Sequence, residues 1–517
     1  MSSAFRRTLA ARPDLDQQRT LAKELLAAFR RAEPDAVARV RTQLPDKARI
    51  SLTDAQFVLA REYGFPGWAA LKAHIQKIGA EELPPLERFK KAVRDQDVAT
   101  VRGVLERHPD VRASINEPLF SFDSPALLAI ADRGDVELVN VLLEFGADPN
   151  RKSSWWAGGF HPLYAASGAV AERLLAAGAI PDACAAAHLD RLDLLTSLLR
   201  DDASRVHERG GDGQTPLHFA RSRRVVDCLL ENGADIDARD VDHRATAAQW
   251  MIGEEQPGSR PRLTLARYLA ERGASVDIFL AAALDLADRA GAMVRNAPSL
   301  LSLRTGQGEY GEQPPSSFHI YLWTIGANLT PLQAAATFGS HDTLAEMIEL
   351  ASPEQRLLLA CHQGRADEAR SIVAAHPGIV ERLDERDARA LTDAAWAANT
   401  RAVELMLELG FDPSVPSRSG PAGGTALHCA AWEGSVDCVR AILDYERGRA
   451  LLEARDLTYG GTPLGWCCHG SRNCGRRSAN HADVARLLLA AGARANPDMN
   501  ACSDEMQAVI DEAVREQ

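Results

Sequence analysis

Residues 213–240 read GQTPLHFARSRRVVDCLLENGADIDARD, and this stretch decides the fold. Thr215 and Pro216 set a helix start, because threonine caps a helix and proline at the first helical position loses no hydrogen bond. Leu217 and Ala220 then face inward at helical spacing, with alanine small enough for a neighbouring unit to pack close. Val225, Val226, Leu229 and Leu230 give a second helix its apolar stripe. Gly233 follows the last turn, where a left-handed cap residue is wanted. Each unit has one apolar face too many to stand alone, so such units must stack.

The phrase returns as DSPALLAIADRGDVELVNVLLEFGADPN at 123–150, as GTALHCAAWEGSVDCVRAIL at 424–443, and at 461–496, which opens GTPLGWCCHG and closes VARLLLAAGARAN. Its glycine-alanine-aspartate ending appears at Gly146-Ala147-Asp148 and Gly233-Ala234-Asp235, and loosened at Gly273-Ala274-Ser275. A second form lacks the T-P-L-H start and occurs at 89–115, 281–304 and 357–383, with a looser copy at 183–209. In it Pro109, Pro298 and Pro377 follow the second helix and replace the glycine cap. The pattern resembles the ankyrin repeat, whose period is about 33 residues and whose hallmark is T-P-L-H-x-A. The resemblance, closest to ankyrin proteins of bacteria, implies an all-α ankyrin-repeat solenoid of roughly twelve helix-turn-helix units, several of them degenerate. It implies a fold and no reaction.

The array is expected over residues 81–497, with insertions near 151–160, 253–262, 306–327 and 470–480. A small helical domain at 1–80 precedes it. There Leu21, Leu25 and Phe29 fall four apart, Thr53-Asp54 begins a second helix closed by Gly64, and Trp68, Leu71 and Ile75 follow Pro66. Trp68 reads as a core anchor. Residues 498–517 are expected to close the array with a polar helix.

Composition narrows the function. Of the 517 residues, 46% are hydrophobic but only 6% aromatic, which favours thin, closely stacked helices. The net charge of −12 opposes a phosphate-neutralising surface, so no nucleic-acid partner is expected. Nine scattered cysteines suggest no disulfide framework and fit a reducing, cytoplasmic setting. No apolar run is long enough to span a bilayer, so no membrane role is expected. The basic start, with Arg6, Arg7 and Arg12, reads as a frayed terminus rather than a presequence. A monomer is expected, since the repeats bury their own faces.

Motifs that carry chemistry are scarce. His218 and His428 stand in the T-P-L-H position, which in the family ties one repeat to the next. Cys468, Cys474 and His481 are residue types that ligate zinc, but the spacing matches no paired-cysteine knuckle, and neither metal nor cofactor is expected. Residues 306–311 spell G-x-G-x-x-G but run into Pro314-Pro315 instead of opening a helix after a strand, which excludes a dinucleotide loop. The aromatic residues concentrate in two departures from the repeat: Trp155 and Trp156 in one, and Tyr310, Phe318, His319, Tyr321 and Trp323 in the other. Together with Trp466 these are the candidate ligand contacts. Phe318, Tyr321 and Trp323 also suit a second role, plugging the array where a divergent repeat packs poorly.

Two functions follow as expectations. One is a non-catalytic scaffold binding a protein or peptide through its concave face and aromatic fingers. The other is an enzyme or small-molecule receptor built on the 306–328 insertion, with His319, Tyr321 and His469 as its catalytic candidates, because histidine titrates near neutrality. Gly465 stands where the repeat usually has histidine, which would open space near Trp466 and His469.

Overall fold

The computed structural model describes residues 5–7, 9, 15–45, 47, 49–81, 83–253, 262–310, 319–417, 423–476, 478–495 and 502–516. Their regular structure is helical; apart from two isolated bridges, Phe120 with Ser124 and Arg239 with Thr246, the described residues hold no strand. The chain divides into two compact units, Met1–Pro181 and Asp182–Gln517.

The first unit opens with four helices, Leu15–Arg30, Pro34–Gln43, Leu52–Glu62 and Trp68–Glu81. Ser51 caps the third, and Asp54 reaches back to the Ser51 amide. Leu25, Val40, Ala55 and Val58 form one small core. Trp68 packs against a second, made of Ala60, Leu71 and Ile75. Between them Arg39 holds the buried Glu62 in a two-pronged pair at 2.8 and 2.9 Å. Neither the helix at 34–43 nor this pair announces itself in the hydrophobic pattern.

Helix pairs follow: three in the first unit, beginning with Pro85–Asp95 and Val98–Arg107, and nine in the second, ending with Pro463–Asn473 and His481–Ala490. That makes twelve among the described residues, and the helix Asp504–Glu516 comes after them. Fully buried alanines such as Ala185, Ala282, Ala335 and Ala430 let successive first helices approach closely. Leu138, Leu142, Leu229 and Leu269 fill the space beneath them. Each such leucine contributes roughly 1.5–3 kcal/mol through burial.

The caps explain the periodicity. Gly146, Gly233 and Gly273 take φ of 96°, 89° and 103° after the second helices, as the sequence predicts. His218 accepts the Thr215 amide at Nδ1 (3.1 Å), so its Nε2 donates to the Ala245 carbonyl (3.1 Å) of the following repeat. His428 does the same between Thr425 and Gly461. The family's histidine is therefore a strut linking neighbours. Gln249, Gln333 and Gln355 occupy the same place in repeats without histidine and complete the capping box with Thr246, Thr330 and Ser352.

Degeneracy shows in the first helices. In the repeat at 123–150 that helix shrinks to the 3-10 turn Leu128–Ile130, and in the following repeat to Pro162–Tyr164. In the first of these, no histidine or glutamine stands three residues after Ser124 to close a capping box.

Candidate functional site

Two fingers between repeats share a device that local patterning does not reveal. In the finger before Thr246, the buried Asp240 accepts the Ala245 amide (2.7 Å) and, through its other oxygen, the indole N–H of Trp250 (2.9 Å). Ten residues likewise separate Asp456 from Trp466. Asp456 accepts the Gly461 amide (2.6 Å) and the Trp466 indole N–H (3.0 Å), as well as the amides of Thr458 and Tyr459. Those four donors hold the Asp456 carboxyl below its ordinary range although burial opposes it. Each aspartate thus clamps a finger to the first helix of its repeat. The clamped tips turn Val241, Leu457 and Tyr459 outward.

The 306–328 insertion divides into an anchor and an exposed part. Tyr321 is fully buried. Its hydroxyl donates to the Asp277 carboxylate, with both oxygens at 2.7 Å, and accepts from Gln249 Nε2 at 3.1 Å. Asp277 also caps the helix Ile278–Ala283 through the Leu280 amide. Burial raises the Asp277 pKa, and burial with the adjoining carboxylate raises that of Tyr321 well above its usual value. Tyr310 and His319 lie 5.7 and 5.0 Å from the Tyr321 ring, and Phe279 packs against both tyrosines. His319 Nδ1 accepts the Tyr321 amide (3.3 Å). Its pKa falls to about 4, first through burial and then through the charge of Arg239, so at neutral pH the ring is neutral. Trp323 points the other way, largely exposed and edge-on to His243 at 6.5 Å. Phe318 lies outside the described residues.

In the first unit Trp155 stands edge-on to Phe122 at 5.2 Å and tilted against Trp156 at 6.1 Å, while Phe160 lies tilted against Phe122 at 5.5 Å. Phe122 and Asp123 hold φ of 57° and 52°, a left-handed pair without glycine that turns the Phe122 ring to solvent.

Trp466 is buried on Asp456 and packs edge-on to His428 at 5.1 Å. His469 is exposed and lies 5.3 Å from Trp432, which in turn stacks on Trp396 at 6.2 Å with their planes 14° apart. Trp396, Trp432 and His469 hold corresponding positions on three successive first helices. Because each differs from its neighbours in type or context, the row is hard to see in a single repeat.

Comparison with known proteins agrees with this architecture. A model of ankyrin repeats in three copies matches residues 391–501, and a single ankyrin-repeat model matches 212–241. The chain contains ankyrin repeats. It is similar to the ankyrin repeat domain-containing protein SAT10 of Stachybotrys chartarum, at 25% identity over 396 residues. That match takes in 68% of this chain and only 18% of the relative, so the chain spans under a fifth of that protein's length.

Within the ankyrin array, the three residues suited to zinc have other engagements. Cys474 Sγ approaches Glu433 (3.7 Å), His481 Nε2 bonds the Trp432 carbonyl (2.8 Å), and Cys468 is buried. No group of three histidine, cysteine or acidic residues among the described residues is arranged to hold a metal ion. The 470–480 insertion is tied down by Arg476, which bonds Glu433 (2.9 Å) and the Ala397 carbonyl (3.2 Å). No helix among the described residues is long and apolar enough to cross a membrane.

Proposed function

We propose that this ankyrin-repeat protein is a non-catalytic recognition scaffold that holds a protein or peptide partner, with aromatic and aliphatic side chains at its fingertips as the anchors. Ankyrin arrays generally serve protein–protein contact, through the extended surfaces that stacked repeats create. The observation that carries the finer reading is the exposure of large apolar side chains in the fingers and the insertion, two of them on the turn that Asp456 clamps. Exposure reaches 54% at Phe122, 47% at Trp156, 64% at Trp323, 80% at Leu457 and 76% at Tyr459. Scattered surface leucines need no explanation, but the Tyr459 phenol on the turn held by Asp456 is a pre-organised anchor that loses little freedom on binding. On this reading residues 1–80 form a separate helical domain and residues 81–497 the recognition array.

A catalytic or small-molecule site on His319, Tyr321 and His469 is not adopted. His319 is held neutral in a ring cluster, Tyr321 is committed to Asp277, and His469 lies on a different repeat beside Trp432. The test is site-specific photo-crosslinking from position 323 or 459 in cells of the source organism, followed by affinity measurement on the captured protein. W323A and Y459A are each expected to weaken binding about tenfold or more, as anchor truncations do. Unchanged affinity in both variants would remove the fingertips from the interface.

A further inference from the structure

The finger at 239–246 contains a buried imidazole in an unusual setting. His243 Nδ1 has no hydrogen-bond partner and lies 3.4 Å from Asp240 Oδ2 and 4.0 Å from Asp242 Oδ2. The ring stands edge-on to Trp250 at 4.9 Å and to Trp323 of the insertion at 6.5 Å. The charged groups around it come from several elements. Its own finger supplies Arg239, Asp240, Asp242 and Arg244. The preceding finger supplies Asp212, whose carbonyl accepts the amides of Val241 (2.8 Å) and Asp242 (3.2 Å). The insertion supplies His319, and the helix Ala247–Met251 supplies only the Trp250 indole.

We propose that His243 is a proton-operated latch: its protonated ring is clamped among Asp240, Asp242 and the indoles of Trp250 and Trp323, and it fixes the exposed Trp323 against the finger. A neutral ring with its proton on Nδ1 meets the two carboxylates only as an uncharged donor, whereas an imidazolium turns both approaches into ion pairs and adds cation–π attraction to the Trp250 indole at 4.9 Å. Burial opposes the charge, but Asp240, Asp212 and Asp242 outweigh it and raise the His243 pKa above 6.5. The latch is therefore closed below the folded midpoint, which lies above 6.5, and opens as pH rises through it. Its consequence for partner binding rests on the reading of Trp323 as an anchor; the latch itself does not.

The experiment uses the full chain with 5-fluorotryptophan and ring-labelled histidine, followed by NMR from pH 5 to 9, with W323F and H243Q assigning the signals. The expected result is a His243 midpoint above 6.5, a Trp323 signal that moves with the same midpoint, a lower midpoint in D242N, and a Trp323 signal that no longer titrates in H243Q. A His243 midpoint at or below 6.5, or a Trp323 signal that stays flat through the His243 titration, overturns the latch. If Trp323 follows His243 but W323A binds its partner normally, the latch stands and the anchor reading fails.

Discussion

Asp393 carries the clearest consequence at the residue scale. Its carboxylate accepts from Asn328 through one oxygen, and the other has no hydrogen-bond partner. Arg304 lies close but is engaged with Asp387 (2.6 Å) and with the Asn328 carbonyl (3.0 Å). Arg389 is likewise committed, to Glu385 and to the Pro416 carbonyl. Burial therefore dominates and pushes the Asp393 pKa up from 3.8 to about 6, against the pull of Arg304, Asn328 and Arg389. A raised carboxyl pKa means that the folded state binds its proton more tightly than the unfolded state does. That contribution is fully present below pH 3.8 and is lost as pH rises through 6. At neutral pH the ionised group costs about 3 kcal/mol relative to its protonated form, as an upper bound. Asp393→Asn keeps an acceptor for Asn328 without the charge. Denaturant melts from pH 4 to 8 should show the variant gaining on the parent steadily between pH 4 and 6 and holding that gain at pH 7. Parallel curves would show that Asp393 ionises without penalty.

At the scale of the element, close stacking of first helices is specified by small residues placed opposite large ones. Gly424, just before the helix Ala426–Trp432, has no left-handed backbone, yet a Cβ there would sit 2.5 Å from the Trp466 ring of the next repeat. Gly424→Ala is thus expected to destabilise the second unit by roughly 1–3 kcal/mol through overpacking alone. In the double variant with Trp466→Leu most of that loss should disappear, because the obstacle is gone. Additive losses in urea unfolding would place the cause elsewhere. The same contact shows what sequence could and could not reveal. Thr215, Pro216, His218 and Gly233 act within one repeat and its neighbour, so spacing exposes their roles directly. Gln249, Gln333 and Gln355 do the histidine's capping work with a different side chain, and a search for the histidine passes over them. Tyr321 meets Asp277 across 44 positions, and no local period encodes that pairing. The aromatic enrichment of the insertion was legible; which ring anchors and which faces solvent depends on contacts with two other repeats.

For the whole molecule, the ankyrin architecture makes stability a sum of repeat and neighbour terms, so a strut such as His218 matters to the repeat on each side of it. Variation at the fingertips leaves those terms almost untouched, which frees the tips to carry specificity. The central claim is that recognition runs through these tips. The most direct measurement is hydrogen–deuterium exchange of the full chain, free and bound to the protein captured through position 323 or 459. Protection is expected to concentrate at 239–246, 319–325 and 455–462, with the second helices 223–231 and 436–444 unchanged. Protection confined to the second helices, with the fingers exchanging as in the free chain, would contradict it.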